Sequence, residues 1–204
     1  MTAASSSQIT RADITGLVLA GGQGRRMGGV DKGLVDFAGK PMVAHAIARL
    51  LPQVGALLIN ANQNAERYAA FGHPVVADAI GGFAGPLAGL HAGLAAAGTH
   101  YVVTSPCDSP FLPADLAERL ATALAAARAT LAVARTGDQP HPVFALVDRG
   151  VLVHLTQFLE GGGRKIDAWY ATLDVVEVPF DDEAEAFRNI NTRQELAANL
   201  PPST

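Results

Sequence analysis

The sequence predicts one three-layer α/β domain, with a mostly parallel sheet covered by helices on both faces, and three observations predict it. Short apolar runs alternate with helix-period segments along the chain, the pattern of strands joined by helical crossovers. Several of those runs are apolar throughout, as strands buried on both faces are. With 204 residues, 49% of them apolar, the chain can build one sizeable core and at most a subdomain beside it.

Each element follows in order. The first thirteen residues, MTAASSSQITRAD, hold no apolar run and read as a flexible leader, 1–13. TGLVLA (15–20) is the first buried strand. Pro41 pre-sets the first turn of a helix over 41–52. ALLIN (56–60) and PVVAD (74–78) are strands, followed by a helix over 86–97 and the strand HYVVTS (100–105). The helix over 113–128 carries Leu116, Leu120 and Leu124 at four-residue steps. TLAVAR (130–135) and HPVFALV (141–147) are separated by a short loop, so one antiparallel strand is expected there. A helix over 149–160 carries Leu152, Leu155 and Leu159 and stops at GGG (161–163). VVEVPF (175–180) is the last strand, and Thr192 and Glu195 are spaced as a capping box for a closing helix. The domain is expected to span 14–200, with a short tail at 201–204. Ligands in such a sheet bind at the carboxyl ends of the strands.

Composition excludes several classes. A net charge of −4 sets up no protein-wide field for nucleic acid. No stretch approaches the roughly 20 apolar residues that cross a bilayer. The single cysteine, Cys107, excludes an internal disulfide and a multi-thiolate metal site, and suits a reducing cytosol. A cytoplasmic protein with neither nucleic acid nor membrane as partner is therefore expected. The histidines are scattered without metal-type spacing.

LVLAGGQGRRMGGVDKGL (17–34) carries the chemistry. Directly after the first strand come Gly21, Gly22, Gly24, Gly28 and Gly29, with Arg25, Arg26 and Lys32 as the cations. Backbone without Cβ atoms lets N–H groups close around an anion. The arginines add forked donors, and Lys32 a compact point charge. The pattern suits a nucleoside triphosphate. It is not a Walker loop, since no Gly-Lys-Ser/Thr follows. Nor is it a dinucleotide fingerprint: Met27 stands where the last glycine belongs, and the second strand ends in Asn60 instead of an acid. Plain turn chemistry remains the alternative.

Other positions admit two readings each. Asp108 ends a buried strand inside PCDSP. It is placed to hold a hard cation or to bond its own backbone in a turn. Asn60 and Asp78 end strands, where a turn or cap role serves equally well. Asn189 and Asn191 precede the closing helix as ligand contacts or caps. Arg164 and Lys165, after the triple glycine, form either an arm for an anionic acceptor or a solvated helix start. His141 lines a cleft or fills the core. Cys107 has no partnered base and reads as a buried filler.

Taken together, these segments resemble the molybdenum cofactor guanylyltransferases, nucleotidyltransferases with a Rossmann-like sheet. The motif residues are Leu19, Ala20, Gly21, Gly22, Arg26, Met27, Gly28, Gly29, Asp31 and Lys32. NANQ (60–63), AD (77–78), GPLAG (85–89), SPCDSP (105–110), HPVFALV (141–147) and NINT (189–192) extend the likeness over roughly residues 14–200. The Gly-Thr-Arg-Leu of sugar-phosphate nucleotidyltransferases and the Leu-Ala-Ala-Gly of cytidylyl relatives are both missing. The resemblance implies that Leu19, Ala20, Gly21, Lys32, Asn60, Asp78 and Asp108 contact GTP, and that Asp108 holds Mg²⁺. It implies transfer of GMP from GTP to the terminal phosphate of molybdopterin, then transient contact with molybdoenzymes or their chaperones. The backbone at Gly22 and Gly24 joins the phosphate cradle, Arg26 supports Lys32 and Asp108 in catalysis, and His141, Arg164, Lys165, Asn189 and Asn191 are the candidate acceptor contacts. The rivals are a cytidylyl- or sugar-phosphate nucleotidyltransferase and a non-catalytic nucleotide-binding chaperone. Retention of both Lys32 and Asp108 argues against the chaperone.

Overall fold

The computed structural model describes residues 8–21, 31–80, 85–188 and 190. Its strands are β1 (Ile14–Leu19), β2 (Asp36–Phe37), β3 (Lys40–Pro41), β4 (Ala56–Asn60), β5 (Val75–Val76), β6 (Tyr101–Pro106), β7 (Leu131–Thr136), β8 (Gln139–Asp148) and β9 (Val175–Pro179). The α-helices are α1 (Met42–Leu50), α2 (Ala65–Ala69), α3 (Pro86–Ala96), α4 (Leu116–Ala127), α5 (Leu152–Glu160) and α6 (Ile166–Tyr170).

Seven strands form one sheet in the order β5-β4-β1-β6-β8-β7-β9. All its neighbours pair in parallel except across β8, which runs antiparallel to both β6 and β7. The expected antiparallel strand is thus HPVFALV. A turn of two residues joins it to β7, too short for a crossover that would return a parallel strand. β1 is central, with β4 on one side and β6 on the other. The strand order reverses there, which opens a crevice at its carboxyl end.

Two apolar layers hold the helices to the sheet. One face packs Val18, Val103 and Leu146 against Val43, Ile47 and Leu50 of α1 and Leu116, Leu120 and Leu124 of α4. The other packs Leu17, Val102 and Val147 against Leu87, Leu90 and Leu94 of α3, Leu155 and Leu159 of α5, and Trp169 of α6. Adjacent strand residues such as Leu17 and Val18 point to opposite faces, so a continuous apolar run serves both layers. Truncating a fully buried leucine such as Leu17 to alanine costs about 3 kcal/mol.

α3 is buried on all sides from Leu87 to Leu94, between the sheet and α5. Its approach to the sheet depends on small residues. A Cβ at Gly93 would collide with Leu17, and one at Gly89 with Asn60 Oδ1. That closeness brings α3 against the end of β4.

The structure departs from the sequence expectations in a few places. Pro41 caps α1 instead of opening it, and α4 and α5 begin at Leu116 and Leu152, three residues later than their expected starts. The hairpin β2–β3 and helix α2 show no sequence signal, because two to five residues are too few to display a period, while α6 begins after Lys165, in accord with the helix-start reading of that segment. The expected leader is built into the domain before its end. Ile9 packs on the core, and Thr10 Oγ1 donates to Asp13 Oδ2 at 2.7 Å. The closing helix at Thr192–Glu195 lies outside the described residues.

Candidate active site

The carboxyl ends of β4, β1 and β6 meet at one edge. Ala20 N–H donates to the Asn60 carbonyl at 2.8 Å, and Cys107 N–H donates to the Leu19 carbonyl at 3.0 Å. Leu19, Ala20 and Gly21 therefore run between Asn60 on one flank and the Cys107–Asp108 turn on the other. A Cβ at Gly21 would stand 2.9 Å from Asn62 Nδ2 and 3.0 Å from Asn60 Oδ1. Glycine is what lets the chain leave the sheet past those two amides. Gly22, Gly24 and Arg26 lie outside the described residues, as do Arg25 and Met27.

On the β6 flank, Lys32 Nζ lies 3.3 Å from Asp108 Oδ2, with side chains 22% and 12% exposed. The two were 76 residues apart in sequence. They now share one candidate site at the carboxyl edge of the sheet, the edge at which open α/β sheets generally bind ligands. Among the described residues no group of three or more His, Cys, Asp or Glu side chains is assembled as a metal cage. Asp108 offers a buried oxygen donor without one. Its neighbour Cys107 is 7% exposed, and burial, followed by the charges of Asp108 and Asp31, pushes the thiol far above its usual range. Cys107 stays protonated and inert.

On the β4 flank, Asp78 is gripped by amides. Asn60 Nδ2 donates to Asp78 Oδ1 at 2.9 Å, and Asn62 Nδ2 to Asp78 Oδ2 at 2.8 Å. Asp78 N–H returns a bond to Asn62 Oδ1 at 2.8 Å. Asn60 is 2% exposed and Asp78 half-buried, so a buried amide holds a carboxylate that solvent reaches only in part. Both donors are neutral amides, and each carboxylate oxygen has a further lone pair to offer a ligand. Asn62 was not singled out from the sequence. The available signal was its spacing of two from Asn60, broken by Ala61, which turns into the core.

The candidate acceptor residues are more dispersed. His141 lies where β8 begins, paired with Ala134 of β7. Its ring stacks on Phe187 at 4.6 Å and shares a 2.7 Å hydrogen bond with Thr136 Oγ1. Burial pushes its pKa down, so it is neutral at pH 7. Arg164 turns back on the chain before it, its guanidinium donating to the carbonyls of Leu159 in α5 and of Gly163 at 2.7 and 2.6 Å. Lys165 is exposed at the N-cap of α6. Asn189 and Asn191 lie outside the described residues. Ile190, between them in sequence, donates its N–H to the Asp108 carbonyl at 3.0 Å.

Comparison with known proteins identifies the family. A MobA-like NTP transferase domain matches residues 16–175. A relative from Ralstonia nicotianae named molybdenum cofactor guanylyltransferase is 57% identical, the match covering 92% of this chain and 96% of its own. One of the same name from Cupriavidus metallidurans is 54% identical over 92% and 95%. Among solved structures, molybdopterin-guanine dinucleotide biosynthesis protein A from Archaeoglobus fulgidus superposes with a TM-score of 0.75 at 26% identity, covering 90% of this chain and 95% of that one. The chain belongs to the MobA-like nucleotidyltransferases, in the family of the molybdenum cofactor guanylyltransferases.

Proposed function

We propose that this chain transfers the GMP unit of GTP to the terminal phosphate of molybdopterin. A phosphate oxygen of the pterin attacks the α-phosphorus of GTP. The bond from that phosphorus to the oxygen bridging to the β-phosphate breaks, and pyrophosphate leaves with the electron pair. The nucleophile is already anionic near neutral pH, so the reaction needs no protein base, and the inert thiol of Cys107 accords with that. The obstacle is repulsion between two anions. Catalysis then consists of positioning and charge neutralisation.

The observation that carries this reading is the meeting of Lys32 and Asp108 beside Leu19–Gly21. Lys32 supplies a positive charge to the phosphates, the backbone from Gly21 on to Gly22 and Gly24 supplies N–H donors, and Leu19 and Ala20 line the nucleotide site. Arg26 adds a second cation. Asp108 is the ligand for Mg²⁺: a buried carboxylate oxygen fits a hard cation, and Mg²⁺ needs only one or two protein carboxylates beside water and substrate phosphates. Bound there, the ion neutralises charge on phosphate oxygens. Asn60 and Asp78 face the base, where a fixed carboxylate accepts from the N–H groups on one edge of guanine. His141, Arg164, Lys165, Asn189 and Asn191 belong to the acceptor side. The product passes to molybdoenzymes or their chaperones through transient contacts in the cytoplasm.

Pyrophosphate release from each of the four nucleoside triphosphates, with and without molybdopterin, tests the assignment. Release is expected from GTP with molybdopterin. Turnover with CTP in its place, or GTP binding without release, would overturn it.

A further inference from the structure

Asp31 occupies the cap position of the short 3₁₀ turn Lys32–Leu34, yet its carboxylate makes no bond to that turn. Asn64 occupies the cap position of α2, in a left-handed backbone conformation (φ 53°), and its side chain makes no bond to α2. Both side chains, of residue types that ordinarily satisfy the helix they begin, turn away from it and meet each other. Asn64 Nδ2 donates to Asp31 Oδ2 at 2.9 Å. The other oxygen, Asp31 Oδ1, accepts a 2.5 Å bond from the Tyr68 hydroxyl.

Tyr68 is fully buried, in the same core cluster as its neighbour Cys107. Burial, reinforced by the neighbouring Cys107 and Asp31, keeps its phenol protonated and therefore a donor. The turn that it holds is pressed close. A Cβ at Gly33 would collide with the Tyr68 hydroxyl and crowd Cys107 Sγ at 3.2 Å. Asp31 is thus clamped by two groups of one short helix, and the residue that follows it is Lys32.

Resting on the function proposed above, we infer that Tyr68 and Asn64 are positioning residues for the reaction. They clamp Asp31, anchor the carboxyl end of the glycine-rich segment to α2 and the core, and so aim the Lys32 ammonium at the phosphate site beside Asp108. Neither touches substrate. A carboxylate held by a phenol and an amide fixes the backbone at one point, and a lysine side chain extending from that point searches less space.

The test uses the full-length protein and two variants, Tyr68→Phe, which keeps the ring, and Asn64→Gly, which suits the left-handed backbone. Steady-state pyrophosphate release is measured with GTP and molybdopterin. Separately, without substrate, the rate at which an amine-acylating reagent modifies Lys32 is read by mass spectrometry, with Lys40 and Lys165 as internal references. Tyr68→Phe is expected to lower kcat about tenfold, and Asn64→Gly about threefold, with smaller changes in the KM for GTP. In both variants Lys32 labelling rises severalfold relative to Lys40 and Lys165. A role confined to stability would lower the melting temperature and leave the labelling ratio and the kcat-to-KM split where they were, and that result overturns the inference. If Tyr68→Phe does not fold, Asn64→Gly decides in the same way. If the wild-type protein itself releases no pyrophosphate, the proposed function fails, while the labelling ratio still decides whether the clamp positions Lys32.

Discussion

On the Lys32–Asp108 side of the site, an ammonium and a carboxylate face each other at 3.3 Å, longer than the 2.7–2.9 Å typical of a tight charge-assisted bond. On the Asn60–Asp78 side, one carboxylate accepts bonds of 2.9 and 2.8 Å from two neutral amides, while Asp78 N–H donates to Asn62 Oδ1 at 2.8 Å. The first arrangement leaves two charges within reach of an arriving anion. The second leaves one charge with its orientation settled in advance. Charge in motion suits a centre where negative charge shifts from reactant to leaving group. A fixed acceptor suits recognition, where the benefit lies in not having to reorganise on binding.

That contrast is open to attack at several points. The largest effect is expected from Lys32→Ala, which lowers kcat about a hundredfold with the melting temperature nearly unchanged. Wild-type turnover in the purified variant would remove Lys32 from the chemistry. Next, Asp108→Asn raises the Mg²⁺ concentration required for half-maximal rate about tenfold or more, because a neutral amide is a poorer ligand for a hard cation. An unchanged Mg²⁺ titration would place the metal ligand elsewhere. On the other side, Asp78→Asn turns an acceptor into a partial donor and raises the KM for GTP about tenfold with little loss of kcat. Asn62→Ala, which only frees the carboxylate to rotate, costs about threefold in KM. If either variant lowers kcat and leaves KM alone, the division into a reacting half and a recognising half is wrong.

The smallest effect lies outside both halves. His91, buried between α3 and α5 with Nε2 hydrogen-bonded to Thr156 Oγ1 at 3.0 Å, is held below its ordinary pKa of 6.5 by burial, as is His141. Below pH 6.5 the unfolded chain takes up protons that the folded chain refuses. The stability these sites contribute is fully present above that pH and is lost as pH falls through their folded values. The urea midpoint is therefore expected to drop between pH 7.5 and 5.5, and His91→Gln to flatten part of the slope. A midpoint independent of pH in that window would show that both imidazoles protonate freely in the fold.

Much of the site was legible from local signals. Lys32 and Gly21 stand out by the density of glycine and charge in one stretch, and Asp108 by its place at the end of an apolar run. Asn62 was within reach, since Asn60 and Asn62 alternate across Ala61 at the end of a strand. Tyr68 was not. A tyrosine in AERYA, a segment of five residues with one buried side chain, shows no period, and nothing local says that its hydroxyl meets Asp31, 37 residues away. Arg164 misleads for a related reason. Its charge is visible in the sequence, but the carbonyls that its guanidinium satisfies at the end of α5 are not.

What the sequence determined by itself is the layered scaffold and the edge that carries the candidate site. Strands and helices are written in periods of two and 3.6 residues, and glycine, proline and charge mark the breaks between them. The tertiary structure alone decided which polar groups face each other. Lys32 with Asp108, Asp31 with Tyr68 and Asn60 with Asp78 are pairs brought together by the packing of strands, turns and helices, across separations of 76, 37 and 18 residues. Hydrogen bonds and ion pairs act over a few ångströms of space, and no periodicity along a chain encodes distances of that kind.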